Sequence, residues 1–128
     1  MNKKKILMIE DEKDLLMLIK MNLESSGRYE VFAAHDGEEG LSKARSIHPD
    51  IIILDLNLPK LPGEEVCRQI RKDDETKNIP IIMATGKSME ADKIIGRVIG
   101  ANAYITKPFQ IDELLKEIEE VLDKSIPT

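Results

Sequence analysis

The stretch Ile51-Ile52-Ile53-Leu54-Asp55-Leu56-Asn57-Leu58-Pro59 decides how the chain is read. Its first four residues are large and apolar without interruption. A half-exposed strand alternates apolar and polar positions, so an unbroken run of this length predicts a strand covered on both faces, as in parallel sheets sandwiched by helices. The run then ends on a carboxylate, Asp55, ahead of the turn signal at Pro59. What that acid does depends on what the rest of the chain brings beside it.

Working outward, apolar periodicity predicts five strands, at Lys5–Ile9, Tyr29–Ala33, Ile51–Leu54, Pro80–Ala84 and Ala103–Ile105. Helical periodicity lies between and after them. The last helical segment is the clearest: Ile111, Leu114, Leu115, Ile118, Val121 and Leu122 recur at helical spacing, with Asp112, Glu113, Lys116, Glu117, Glu119 and Glu120 on the other face. A fourth helix is predicted around Ala91, Ile94, Ile95, Val98 and Ile99, with Ser88 as N-cap and Gly100 as stop. Asp36, three residues before Glu39, marks another helix start in capping-box style. Strict strand–helix alternation predicts an α/β fold of (βα)5 type, a doubly wound parallel sheet between two helical layers. ILMI, IIIL and IIMA read as central strands, whereas RYEVFAA is mixed and AYI is short, so the second and fifth strands are expected at the edges. That pattern fits the flavodoxin-like order 2-1-3-4-5, with the switch point, where ligands bind, between strands one and three.

Composition supports one domain, expected over residues 1–124 with a short tail at 125–128. With 41% hydrophobic and 34% charged residues the chain is too apolar for disorder. No apolar run approaches the ~20 residues that span a bilayer. The opening MNKKKILMIEDE has only Ile6 to Ile9 before three acids, too short an apolar core for a signal peptide, and a cytoplasmic location is expected. Cys67 is the only cysteine, which excludes an intrachain disulfide, fits a reducing compartment and reads as a small buried hydrophobe. The net charge of −5, with no basic block beyond Lys3-Lys4-Lys5, argues against direct nucleic-acid binding. His35 and His48 lack metal-ligand spacing and read as loop or element-end residues. The methionines Met8, Met17, Met21, Met83 and Met89 read as core and helix-packing residues rather than as a binding surface.

The predicted topology brings Glu10-Asp11, at the end of strand one, to Asp55, at the end of strand three. Crowded like charges cost folding energy unless a cation or proton compensates them. An all-oxygen set with room for water suits Mg²⁺. Strand four ends in Met83-Ala84-Thr85-Gly86 and strand five is followed by Thr106-Lys107-Pro108-Phe109, which adds a hydroxyl and an ammonium on the same edge. A phosphoryl group can use both, as hydrogen-bond donor and as counter-charge.

This ordered set resembles the receiver domain of two-component response regulators. The spacings of 44 residues from Asp11 to Asp55, 30 from Asp55 to Thr85 and 22 from Thr85 to Lys107 are those of the family, and the resemblance covers essentially the whole chain. It implies that Asp55 accepts a phosphoryl group from a sensor histidine kinase or phosphotransfer protein. It further implies that Asp11 and Asp55 bind Mg²⁺ through their side chains, Asn57 through its backbone carbonyl, and Glu10 with help from water. Lys107 and Thr85 are the implied phosphoryl-binding and switch residues, with Tyr104 as the aromatic partner of the switch, and a cis bond is implied between Lys107 and Pro108. Asn57 and Lys87 match positions that tune phosphoryl lifetime. The implied readout surface joins the fourth helix, the fifth strand and the last helix, and contacts an output domain or partner; phosphorylation-dependent homodimerisation is compatible with it. The chain departs from the common pattern at Glu10, where Asp is usual, in the loop LPKLPG, and at Gly86, where Ala is frequent. Two alternatives stay open: a phosphorylation-independent adaptor with the same fold, and an aspartyl-nucleophile phosphatase, whose DxD signature lacks its second Asp here because the residue is Asn57. No output domain lies within these residues, so the chain reads either as a single-domain regulator or as the receiver part of a longer one.

Overall fold

The structure is a computed structural model and describes residues 2–86 and 100–125. Five strands, β1 (Lys4–Ile9), β2 (Tyr29–Ala34), β3 (Ile51–Asp55), β4 (Ile81–Thr85) and β5 (Ala103–Thr106), form one parallel sheet in the order β2-β1-β3-β4-β5. The helices α1 (Lys13–Glu24), α2 (Gly37–Ile47), α3 (Gly63–Lys72) and a C-terminal helix (Ile111–Ser125) cover it. The predicted fourth helix, with Ser88 and Met89, lies outside the described residues. Gly100, its expected stop, has φ +97, a conformation that L side chains rarely adopt.

Side-chain alternation along the central strands builds two cores. Ile6 and Met8, Ile51 and Ile53, and Ile82 and Ala84 face α1 and the C-terminal helix. Leu7 and Ile9, Ile52 and Leu54, and Ile81 and Met83 face α2 and α3. Every residue of β3 is buried, so both faces of its continuous apolar run find a hydrophobic layer. Each such isoleucine or leucine stabilises the fold by roughly 1.5–3 kcal/mol relative to exposure. Cys67 is fully buried in the second core.

Several boundaries differ from the sequence expectation by one residue, and two of the differences bear on the site. Asp55 and Thr85 are the last residues of their strands, within the ladder rather than beyond it. Pro80 lies just outside β4 because it has no N–H to donate, although its carbonyl accepts from Ile52 N–H at 2.9 Å. Asp36 is the N-cap of α2 and accepts from Glu39 N–H at 2.9 Å, while the Glu39 carboxylate reaches back to His35 N–H. His48 is the C-cap of α2, in the left-handed region. The reading of the methionines as packing residues fails for two of them. Met17 and Met21 are 64% and 65% exposed, beside Leu18 at 55%, because the buried stripe of α1 consists of Leu16, Ile19 and Leu23.

The edge strand β2 is capped by side chains. Glu24 Oε2 accepts from Val31 N–H at 3.0 Å and Lys20 Nζ donates to Val31 O at 2.9 Å, while Lys43 donates to Ala33 O. These contacts occupy backbone groups that an open edge leaves free for another chain. The Val31 amide, with help from Lys20, holds the Glu24 carboxyl below its ordinary value. A depressed acid stabilises the fold above its unfolded value, and that contribution is lost as pH falls through the folded one. Glu24→Gln is therefore expected to cost about 1 kcal/mol at neutral pH, a figure held down by the solvent exposure of the pair. Urea titrations of both proteins should show the difference closing in acid, below the ordinary carboxylate range.

At the start of α3, Gly63 packs directly beneath the end of β3. A Cβ there would stand 2.4 Å from the Asp55 carbonyl oxygen and 2.8 Å from Leu56 Cα, both backbone atoms that cannot turn aside. Gly63→Ala is expected to destabilise the chain by about 1–3 kcal/mol by overpacking. The same urea titration checks it; an unchanged midpoint would show that α3 can back away freely.

Candidate functional site

The site assembles where β1, β3 and β5 end. β1 stops at Ile9, yet Glu10 N–H still donates to Ala34 O at 2.9 Å, so the backbone stays fastened to β2 for one more residue. This turns the Glu10 side chain inward, where it is 1% exposed, and leaves Asp11 at the surface. β3 delivers Asp55, 4% exposed, with Leu56 N–H bonded to Ala84 O at 2.8 Å. One carboxylate oxygen from each of Glu10, Asp11 and Asp55 lies within 4.8 Å of the others.

Lys107 reaches the same place from the other side. Its N–H donates to Thr85 O at 2.6 Å, which continues the β4–β5 ladder, and its bond to Pro108 is cis. Its ammonium donates to Glu10 Oε1 at 2.6 Å and to Asp55 Oδ2 at 3.3 Å. The remaining oxygens are also engaged. Glu10 Oε2 accepts from Glu12 N–H at 3.2 Å, and Asp55 Oδ1 from Asn57 N–H at 3.1 Å. Among the described residues no buried side-chain nitrogen or oxygen lacks a partner.

The electrostatics follow from this crowding. Burial pushes the Glu10 carboxyl up; the Lys107 hydrogen bond opposes this, and the Asp55 charge adds to it. Burial alone acts to lower the Lys107 ammonium, but its bonds to Glu10 and the charges of Asp55 and Glu10 outweigh that and leave it raised. Lys107 is therefore charged at neutral pH and neutralises at most one of three acids. The surplus negative charge and the all-oxygen donor set fit a small hard cation, for which this cluster is the one candidate group among the described residues.

The other predicted site residues fall around this centre. Thr85, 4% exposed, ends β4 one residue beyond Ala84, which pairs with Asp55. Tyr104 is half-buried on β5 and packs against the α2–α3 side of the sheet. Asn57 follows Asp55 by two residues, and its side-chain amide approaches Gly86. Lys87 lies outside the described residues. Three contacts were not anticipated from sequence: the Lys107–Glu10 bond, the Glu12 amide on Glu10, and the packing of Gly63 under Asp55. The LPKLPG loop could have signalled the last, since a glycine opening a helix beside a buried strand end often marks close backbone approach. A cavity of about 560 Å³ opens at the opposite end of the strands among Lys3, Lys4, Lys5 and Asp50, away from these acids.

Removing the ammonium while keeping its stem isolates the contribution of the pair. Lys107→Met is expected to destabilise the metal-free protein by about 3 kcal/mol, because two buried carboxylates lose their counter-charge. Urea unfolding in EDTA measures this, and an unchanged stability would show that solvent already compensates the acids.

Residues 6–119 match the response regulator receiver domain. The chain is 46% identical over 122 residues to the alkaline phosphatase synthesis transcriptional regulatory protein PhoP of Bacillus subtilis, covering 95% of this chain and 50% of that one. It thus spans about half the length of the curated relatives it matches. Among solved structures, chemotaxis protein CheY4 of Vibrio cholerae superposes with TM-score 0.89 at 33% identity, over 94% of this chain and 99% of that one. The receiver domain of sensor histidine kinase PA1611 from Pseudomonas aeruginosa superposes with TM-score 0.87 at 30% identity, over 95% and 99%, and holds a magnesium ion in its active-site cleft.

Proposed function

The chain belongs to the response regulator receiver family, and on that premise we propose that it is a phosphoacceptor in which Asp55 takes a phosphoryl group from a phosphohistidine. The observation that carries this reading is the convergence of Glu10, Asp11, Asp55 and Lys107 at one sheet edge. The domain is a regulatory one. Its catalytic part is limited to assisting its own phosphorylation and hydrolysis.

In the proposed reaction a carboxylate oxygen of Asp55 attacks phosphorus, an O–P bond forms as the P–N bond to the donor histidine breaks, and the imidazole leaves with the electron pair. The Asn57 amide on Oδ1 holds the Asp55 carboxylate in place for this. The Lys107 ammonium lies on Oδ2 and would transfer to the incoming phosphoryl oxygens. Glu10, Asp11, Asp55 and the Asn57 carbonyl would hold Mg²⁺, whose role when bound is to neutralise charge developing on the phosphoryl group. Thr85 would donate its hydroxyl to the same group, and Asn57 and Lys87 would tune how long it persists.

A phosphoryl group would add nearly two negative charges beside Thr85, the last residue of β4, and Lys107, the first residue after β5. Tyr104, on β5, is the proposed reporter that repacks with Thr85 and alters the surface that the sequence assigns to the fourth helix, β5 and the C-terminal helix. Reversing a 1:99 population requires about 5.5 kcal/mol of differential contact. A few charge-assisted hydrogen bonds, at roughly 1.5–3 kcal/mol each, suffice. The proposed partners are a sensor histidine kinase or phosphotransfer protein and an output domain or protein, in the cytoplasm, with the receiver unit spanning residues 1–124. No helix among the described residues is long and apolar enough to cross a membrane.

Intact mass after incubation with Mg²⁺ and acetyl phosphate tests the reading. One added phosphoryl group is expected, absent in EDTA and absent in Asp55→Asn. Persistence of the added mass in Asp55→Asn would remove Asp55 from its role.

A further inference from the structure

We infer that Arg71 and Asn102 lock the register of β5 and are positioning residues for Lys107, an inference that rests on the phosphoacceptor reading above. The need for a lock arises from the strand itself. β5 has four residues, pairs among the described residues only with β4, and only Ile105 along it is buried. Burial specifies the register of such an edge strand weakly, yet each residue of slip moves its far end by about 3.3 Å. At that far end Lys107 must meet Glu10 and Asp55 within hydrogen-bond reach.

The opposite end of β5 holds a polar junction that nothing in the acid site explains. Asn102 N–H donates to Ile81 O at 2.8 Å, and Asn102 Oδ1 accepts from Ile81 N–H at 2.9 Å, so one side chain extends the ladder by a further rung. The same Oδ1 accepts from Arg71 Nη2 at 2.9 Å. The Arg71 guanidinium, half-buried at the end of α3, also donates to Gly100 O at 3.0 Å, Lys77 O at 3.1 Å and Ile79 O at 2.7 Å. One planar cation thus ties α3, the entry to β4 and the entry to β5 together. Its fork reaches four acceptors on the two segments that enter β4 and β5, which the three N–H groups of a lysine cannot match. With Asn102 fixed against Ile81 and β5 extended, Lys107 is placed five residues on, about 16 Å away.

Three variants test this: Asn102→Ala, which removes the acceptor; Asn102→Asp, which keeps an oxygen for both Ile81 and Arg71; and Arg71→Lys, which keeps charge without the fork. The first readout is the nitrogen–proton correlation of the Lys107 ammonium by NMR in metal-free protein, visible only while hydrogen bonds slow its exchange. The second is the rate of phosphorylation by acetyl phosphate, alongside Mg²⁺ affinity by calorimetry. Asn102→Ala and Arg71→Lys are expected to lose the Lys107 signal and to slow phosphorylation by about tenfold or more, as misplacement of a reacting group by an ångström can do. Mg²⁺ affinity should not fall, since Asp11 and Asp55 do not lie on β5 and lose only a competing cation, and Asn102→Asp should restore the Lys107 signal and the phosphorylation rate. Retention of the Lys107 signal in both Asn102→Ala and Arg71→Lys would overturn the proposal. So would parallel loss of Mg²⁺ affinity, which marks general unfolding. Should the parent protein accept no phosphoryl group, the phosphoacceptor reading fails, while the NMR signal still decides whether the lock places Lys107.

Discussion

Three carboxylates meet at one edge of this sheet, and two of them are buried. Such a concentration of like charge opposes folding, and among the described residues the structure accommodates it with the ammonium of Lys107 together with the backbone amides of Glu12 and Asn57. Everything that positions Lys107 therefore affects both stability and chemistry. A site left with surplus negative charge is ready for a cation, and a site whose ammonium already touches Asp55 is ready for an anion that brings its own oxygens. The response-regulator chemistry proposed for this chain uses both properties.

The sheet is the frame that makes this tolerable. The central strands β1, β3 and β4 bury both faces, so their ends are held rigidly, and Asp55 and Thr85 sit inside the ladder rather than in loops. Gly63 brings α3 into backbone contact with Asp55, which leaves no room for the end of β3 to relax. The edge strands need other devices. On β2 the side chains of Lys20, Glu24 and Lys43 occupy the outer backbone groups. On β5 the Arg71 and Asn102 junction holds one end and Lys107 holds the other. The exposed Met17, Leu18 and Met21 on α1 stand apart from these arrangements, since the helix meets its core through Leu16, Ile19 and Leu23, with Leu15 packed beside them.

Much of this was legible before the structure. Continuous apolar runs identified β1, β3 and β4 as central, a mixed and a short run identified β2 and β5 as edges, and the strand order followed. The acids at the ends of strands one and three were brought together by that order. The start of α2 at Asp36 was visible because a side-chain cap is a local, short-range feature. The methionines of α1 were misread because a helix of that composition offers more apolar residues than its buried stripe can use, and composition does not say which turn faces the sheet.

The sequence by itself determined the elements, their order and the identity of the residues that gather at the carboxyl edge, because burial pattern and chain connectivity are encoded residue by residue. Only the tertiary structure decided who pairs with whom there. That Lys107 bridges Glu10 and Asp55, that Gly63 supports Asp55 from below, and that Arg71 joins three segments at the far end of β5 are contacts between residues far apart in the chain. Their formation depends on distances of a few ångströms that no spacing in the sequence specifies.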